Sequence, residues 1–146
     1  MTERMTAAQL NKTRRKKPVD REGPVQIAIV DWLRGAMPDA IVHHCRNEIN
    51  RSGYSIAKEL ADAKRKGAVP GFPDLLVLPY ATVGAIFFEV KAEGAYARKN
   101  QRAIHEQLRA LGYRVAVVRS VQDVRECLQE WGVGYVENIE LRGVVR

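Results

Sequence analysis

Cysteine is scarce in this chain of 146 residues: Cys45 and Cys127 are the only two, far apart and without a CxxC pair. That spacing argues against a disulfide framework or a structural zinc site and fits a reducing, cytoplasmic setting. Long apolar runs are missing as well. None approaches the roughly 20 residues that span a bilayer, so no membrane association is expected. The first 21 residues are polar and basic, unlike a signal peptide. No GxxxxGK(S/T) loop is present, so nothing predicts a need for ATP. There is no internal repeat, and no low-complexity segment beyond the basic N-terminal stretch.

What is present suits one compact domain with a sizeable core: 46% of residues are hydrophobic and 28% charged. The net charge of +7 is unevenly placed. Seven basic residues (Arg4, Lys12, Arg14, Arg15, Lys16, Lys17 and Arg21) stand against Glu3 and Asp20 in residues 1–21, which therefore hold +5 of it. This stretch lacks apolar periodicity and reads as a flexible arm able to steer the protein to a polyanion. A merely solvated arm is the alternative.

From residue 22 the pattern becomes regular. Val25, Ile29, Trp32 and Leu33 recur at helical spacing over 24–36, with Pro24 in the first turn and Met37-Pro38-Asp39 as the stop. Residues 40–45 read as a short strand and 46–54 as a polar loop. A second helix is expected over 55–66, capped by Ser55. Gly67 to Pro73 must be a shaped loop. Strands follow at 74–78 and 85–91, antiparallel if the turn near 80–84 is tight. A helix over 97–111 closed by Gly112, a strand at 113–118 and a helix from the Ser120 cap to about Trp131 complete the pattern. The strand–helix–strand unit from Phe87 to Val118 predicts a parallel crossover. The class is thus α/β, a mixed sheet flanked by helices. Residues 133–146, apolar at Val133, Tyr135, Val136, Ile139, Leu141, Val144 and Val145, are an extension that fits an added strand, a dimer contact or a fold-back onto the same sheet. Trp32 and Phe88 are expected in the core.

The chemistry concentrates in Pro73-Asp74 and, fifteen residues on, Glu89-Val90-Lys91. Both stretches adjoin or lie in apolar strand-like runs, where a charge is costly unless compensated. Glu89 and Lys91 project from the same face of their strand. Two carboxylates and an ammonium at strand ends suit a divalent metal, its bound water and a phosphate; a structural ion pair is the alternative. His43, His44 and Cys45 do not form a zinc site, because adjacent strand residues point to opposite faces.

Pro-Asp, a gap, then Glu-x-Lys resembles the signature of the PD-(D/E)xK nucleases. Setting aside the 55–66 helix as an insertion leaves a restriction-endonuclease-like αβββαβ core. The finer resemblance is to the virus-type replication–repair nuclease (VRR-NUC) branch, in its small stand-alone phage and bacterial form. It rests on Glu22 opening the first helix, His44-Cys45-Arg46-Asn47-Glu48, the loop Lys66 to Asp74 with Pro70-Gly71-Phe72-Pro73-Asp74, Glu89-Val90-Lys91, Gln101 and Gly112-Tyr113. Arg46 replaces the usual proline, which bears on the shape of the 46–53 loop.

The resemblance spans about 22 to 128, within a single nuclease domain over 22–132, and implies Mg²⁺- or Mn²⁺-dependent hydrolysis of DNA phosphodiesters. Asp74 and Glu89 are the implied metal ligands, with the Val90 carbonyl as a third and Glu22 as a further candidate; Glu22 also suits a helix N-terminus by charge alone. Lys91 orients or deprotonates the water, or stabilises the transition-state charge. Gln101 approaches the water or the scissile phosphate. Candidate DNA contacts are Lys12, Arg14, Arg15, Lys16, Lys17, His44, Asn47, Arg51, Lys66, Arg98 and Lys99. Two basic runs, Lys58 with Lys64 to Lys66 and Arg98, Lys99 and Arg102 beside Lys91, either neutralise phosphates or are solvated faces. Branched DNA such as a four-way junction or flap, and a homodimer, are the implied partners. A non-cleaving nucleic-acid-binding module and a restriction-type enzyme are the competing readings.

Overall fold

A computed structural model describes residues 17–46 and 56–137. Helix α1 (Glu22–Ala36) is followed by β1 (Ile41–His44), α2 (Ile56–Arg65), β2 (Leu75–Leu78), β3 (Ile86–Val90), α3 (Lys99–Ala110), β4 (Arg114–Val118) and α4 (Val121–Glu130). The four strands form one sheet in the order β1-β2-β3-β4. The first two pairings are antiparallel and the third, β3 with β4 across α3, is parallel. The expected mixed α/β architecture is therefore present.

β3 is buried on both faces along its whole length, and the alternation of its side chains divides the core. Ile86, Phe88 and Val90 join Leu75, Val77 and Val118 against Ile29 and Leu33 of α1 and Val124 and Leu128 of α4. Phe87 faces the other way, with Val115 and with Leu108 and Ile104 of α3. Each fully buried aliphatic or aromatic side chain contributes about 1.5–3 kcal/mol. α1 and α4 thus cover one face and α3 the other. α2 buries none of its residues and, among the described residues, packs against no other helix or strand, as an insertion outside the core should.

Local chemistry explains the boundaries. Asp20 accepts from the Gly23 N–H ahead of Pro24, so α1 opens at Glu22, two residues before the apolar pattern begins. Ser120 caps α4 as expected, its hydroxyl accepting from the Asp123 N–H. The Ser55 cap lies outside the described residues. α3 starts at Lys99 rather than Ala97, because Arg98 is extended and the Gln101 side chain accepts its N–H. Gly112, at φ +92°, closes α3 in a left-handed conformation that favours glycine.

Residues 133–137 form neither strand nor hairpin. Val133 joins the main core, the Tyr135 ring meets the Trp32 ring edge-on at 5.3 Å, and the Val136 N–H donates to the Ala36 carbonyl. The first part of the apolar extension therefore folds back onto α1. Ile139, Leu141, Val144 and Val145 lie outside the described residues. Trp32 is only partly buried, whereas Phe88 is fully in the core. Among the described residues no helix is long and apolar enough to cross a membrane.

Candidate active site

The sheet register builds the site. β2 and β3 pair Leu75 with Phe88, so one step back along β2 Asp74 lies beside Glu89. Asp74 ties three strands together: its Oδ2 accepts from the Val90 N–H at 2.8 Å and its backbone carbonyl from the Cys45 N–H at 2.7 Å. Glu89 shares a face with Phe87, beneath α3, and is fully buried. Lys91 follows two residues later, also buried. Its Nζ lies 3.0 Å from Glu89 Oε1 and 3.7 Å from Glu22 Oε1. Gln101, in the first turn of α3, donates its amide N–H to the same Glu89 oxygen at 2.7 Å.

Two carboxylates, Glu89 and Glu22, thus flank one ammonium, with Asp74 beside Glu89, and the balance is visible in Asp74. Burial, and then the negative charge of Glu89, push its carboxyl up to about 6; the Val90 N–H and Lys91 pull the other way, and Glu22 adds to the rise. Glu89 Oε2 is buried with no hydrogen-bond partner. An orphaned carboxylate oxygen is expensive. A hard cation beside Asp74 and Glu89 would relieve both defects. Among the described residues no three His, Cys, Asp or Glu side chains gather around one point, so the protein offers two carboxylates and its backbone. Mg²⁺ is commonly held that way, by one or two carboxylates, waters and substrate phosphate. The residues present fit such an ion.

Of the residues singled out by sequence, Glu22, Asp74, Glu89, Lys91 and Gln101 come together. Gln101 turns both ends of its amide to the protein, Nε2 to Glu89 and Oε1 to the Arg98 N–H. His44 is exposed at the end of β1, opposite Leu75, with Nδ1 2.7 Å from Gln26 Nε2. Lys17, Lys66, Arg98 and Lys99 are exposed. Lys58, Lys64 and Arg65 are likewise exposed, on α2. Arg102 donates to the Ala97 carbonyl at 2.7 Å and so braces the loop before α3. Lys12, Arg14, Arg15, Lys16, Asn47 and Arg51 lie outside the described residues.

Three residues escaped the sequence reading. Gln26, one turn after Glu22, reaches His44. Arg119 donates twice to the Ala95 carbonyl and lies over the Tyr96 ring, fixing the loop between Lys91 and Gln101. His105 is buried on α3, its Nε2 3.8 Å from Glu89 Oε2. Its position four residues after Gln101, on one helical face, was the available signal.

Gly71 packs closely against the first turn of α3. Its φ is +83°, and a Cβ there would lie 2.7 Å from the Asn100 carbonyl oxygen and 2.9 Å from the Gln101 nitrogen. Gly71→Ala should cost about 1–2 kcal/mol for the left-handed backbone alone. The clash falls on backbone atoms of the turn that carries Gln101. Any nuclease activity should drop by up to about 10²-fold, as for misplacements near 1 Å. Thermal melting and cleavage rate, measured together, check this; unchanged activity would show that the turn tolerates the shift.

The comparisons with known proteins agree with this fold. The family model of the VRR-NUC domain matches residues 2–122, including the basic N-terminal stretch. A solved structure titled "VRR_NUC domain protein" is 24% identical, with a TM-score of 0.61 over 82% of this chain and 93% of its own. A second, titled "VRR_NUC domain", is 28% identical, with a TM-score of 0.52 over 77% of this chain and 97% of its own. No curated protein matches. With the family model spanning most of its length, and strands and helices in the arrangement the signature requires, the chain belongs to the VRR-NUC domain family and is a nuclease-type domain.

Proposed function

We propose that this protein is a Mg²⁺- or Mn²⁺-dependent endonuclease that hydrolyses DNA phosphodiesters and prefers branched DNA, such as four-way junctions or flaps. The observation that carries the reading is the pair Asp74 and Glu89, side by side on adjacent strands, with Lys91 3.0 Å from Glu89. Asp74, Glu89 and the Val90 carbonyl would hold the ion. When bound, it supplies charge neutralisation at the phosphate and acidifies a water. The chain's own groups do the rest. Gln101 fixes the Glu89 carboxylate. Lys91, gripped by Glu89 and Glu22, presents its ammonium where charge builds on the phosphate. Lys66, Arg98 and Lys99, which are exposed, contact the DNA backbone in this reading.

Cleavage of a panel of linear duplex, flap, splayed and four-way DNA in Mg²⁺, without ATP, tests the proposal. Faster cutting of the branched substrates is expected; equal rates on duplex and junction would remove the structure preference, and no cutting of any member would favour a non-cleaving binding module. The pH dependence has a definite sign. Below about 6 Asp74 is protonated, so a cation must displace that proton. Mn²⁺ affinity should then fall about tenfold per pH unit below that point, as calorimetry would show.

The basic arm contributes through charge. Removing residues 1–21 takes away +5. Every phosphate that the arm no longer neutralises should flatten the plot of log affinity against log salt by about 0.9 for duplex DNA; an unchanged slope would show the arm to be a bystander. Paired cuts on a four-way junction need two sites in fixed relation, which a two-fold homodimer supplies. Of the apolar residues of the extension, Val133 and Tyr135 are already engaged within the chain, so neither is free to form the dimer contact. A monomer by light scattering, with and without DNA, would rule the dimer out.

A further inference from the structure

We infer that His105 is a positioning residue of this site, its Nε2–H donating to Glu89 Oε2 so that α3 grips both oxygens of that carboxylate. His105 is buried within the face of α3 that covers Glu89. It follows Gln101 by four residues, so the two side chains stand one above the other on successive turns. Gln101 already holds Oε1 at 2.7 Å. His105 Nε2 lies 3.8 Å from Oε2, and both atoms are buried without a hydrogen-bond partner. Each is the complement the other lacks: an imidazole nitrogen can donate and a carboxylate oxygen only accepts.

The separation exceeds a hydrogen bond by about 0.9 Å, within reach of a small rotation of either side chain. It is too short for a bridging water, which would need hydrogen-bonding distance on both sides. A buried histidine serving only as filler gains nothing by aiming a ring nitrogen at a buried carboxylate, whereas an N–H there removes two unsatisfied groups at once. Oε1 already receives Lys91 and Gln101, but Oε2 would keep a second lone pair beside the His105 contact, so the grip leaves Glu89 free to bind a cation through Oε2 while fixing its plane. Such outer partners are commonly worth 10–100-fold in metal affinity. The functional part of the inference rests on Glu89 being a metal ligand; the contact itself does not.

The contact is tested first on metal-free wild-type protein by long-range ¹H–¹⁵N correlation of the His105 ring. A proton on Nε2 is expected; a bare Nε2 with the proton on Nδ1 overturns the donor assignment. Mn²⁺ calorimetry then tests the role. His105→Phe keeps the ring volume without a donor and should weaken Mn²⁺ about tenfold, with a melting temperature no lower than wild type in EDTA. His105→Gln restores an N–H near the same point and should stay within about threefold of wild type, on the same scale of outer-partner effects. Wild-type affinity in His105→Phe, or equal loss in both variants, overturns the positioning role. Wild-type protein that shows the Nε2 proton but takes up no Mn²⁺ upholds the contact and defeats the metal reading instead.

Discussion

Lys91→Ala should cut DNA at least about 10³-fold more slowly than wild type in saturating Mg²⁺ while binding it within a few-fold. The asymmetry follows from placement. Lys91 is buried and sits between Glu89 and Glu22, so it is one cation held in the site rather than one of the many exposed ones that set ground-state affinity. A group acting chiefly on the transition state costs rate and little binding when removed. Its loss also leaves Glu89 and Glu22 less compensated, so circular dichroism should accompany the assay. Cleavage at the wild-type rate would show that the Glu-x-Lys strand is not the catalytic strand.

Asp74→Asn should abolish cutting and weaken Mn²⁺ by at least about 10–100-fold, more than loss of an outer partner would. It should also stabilise the metal-free protein at neutral pH. The Asn carbonyl oxygen can still accept the Val90 N–H that Asp74 Oδ2 now takes, so the strand junction survives. What disappears is a charge disfavoured by burial and by Glu89. Because the Asp74 carboxyl is raised from 3.8 to about 6, its contribution to stability is fully present below about pH 3.8 and is lost as pH rises through about 6. The melting-temperature advantage of Asp74→Asn in EDTA should therefore be largest near pH 7 and vanish near pH 4. A variant less stable than wild type at pH 7 would contradict the electrostatic description of the site.

Much of this arrangement was legible from residue order. Period-two alternation placed Glu89 and Lys91 on one face, and a tight β2–β3 connection predicted an antiparallel pair; the register that sets Asp74 beside Glu89 came with the fold. Glu22 and Gln101 became candidates only through the family resemblance, since a Glu in a first turn or a Gln on a helix is usually unremarkable. The start of α3 was misplaced because its cap is a side chain, Gln101, acting on the Arg98 N–H; the pattern of apolar residues does not reveal such a bond. His105 stayed hidden for a related reason. In sequence it falls between Ile104 and Leu108, in a stripe that reads as core, and only the fold shows a carboxylate above it. The fold-back at Val133 to Val136 depends on Trp32 and the Ala36 carbonyl, more than ninety residues earlier in the chain, and no local signal specifies that partner.

The central claim, that Asp74 and Glu89 hold a divalent ion on which cutting depends, is tested most directly by metal removal and return. Wild-type protein dialysed against EDTA should leave a labelled four-way junction intact. Mn²⁺ added back should restore cleavage in wild type but not in Asp74→Asn. Full activity in excess EDTA, or equal restoration in the variant, would contradict the account.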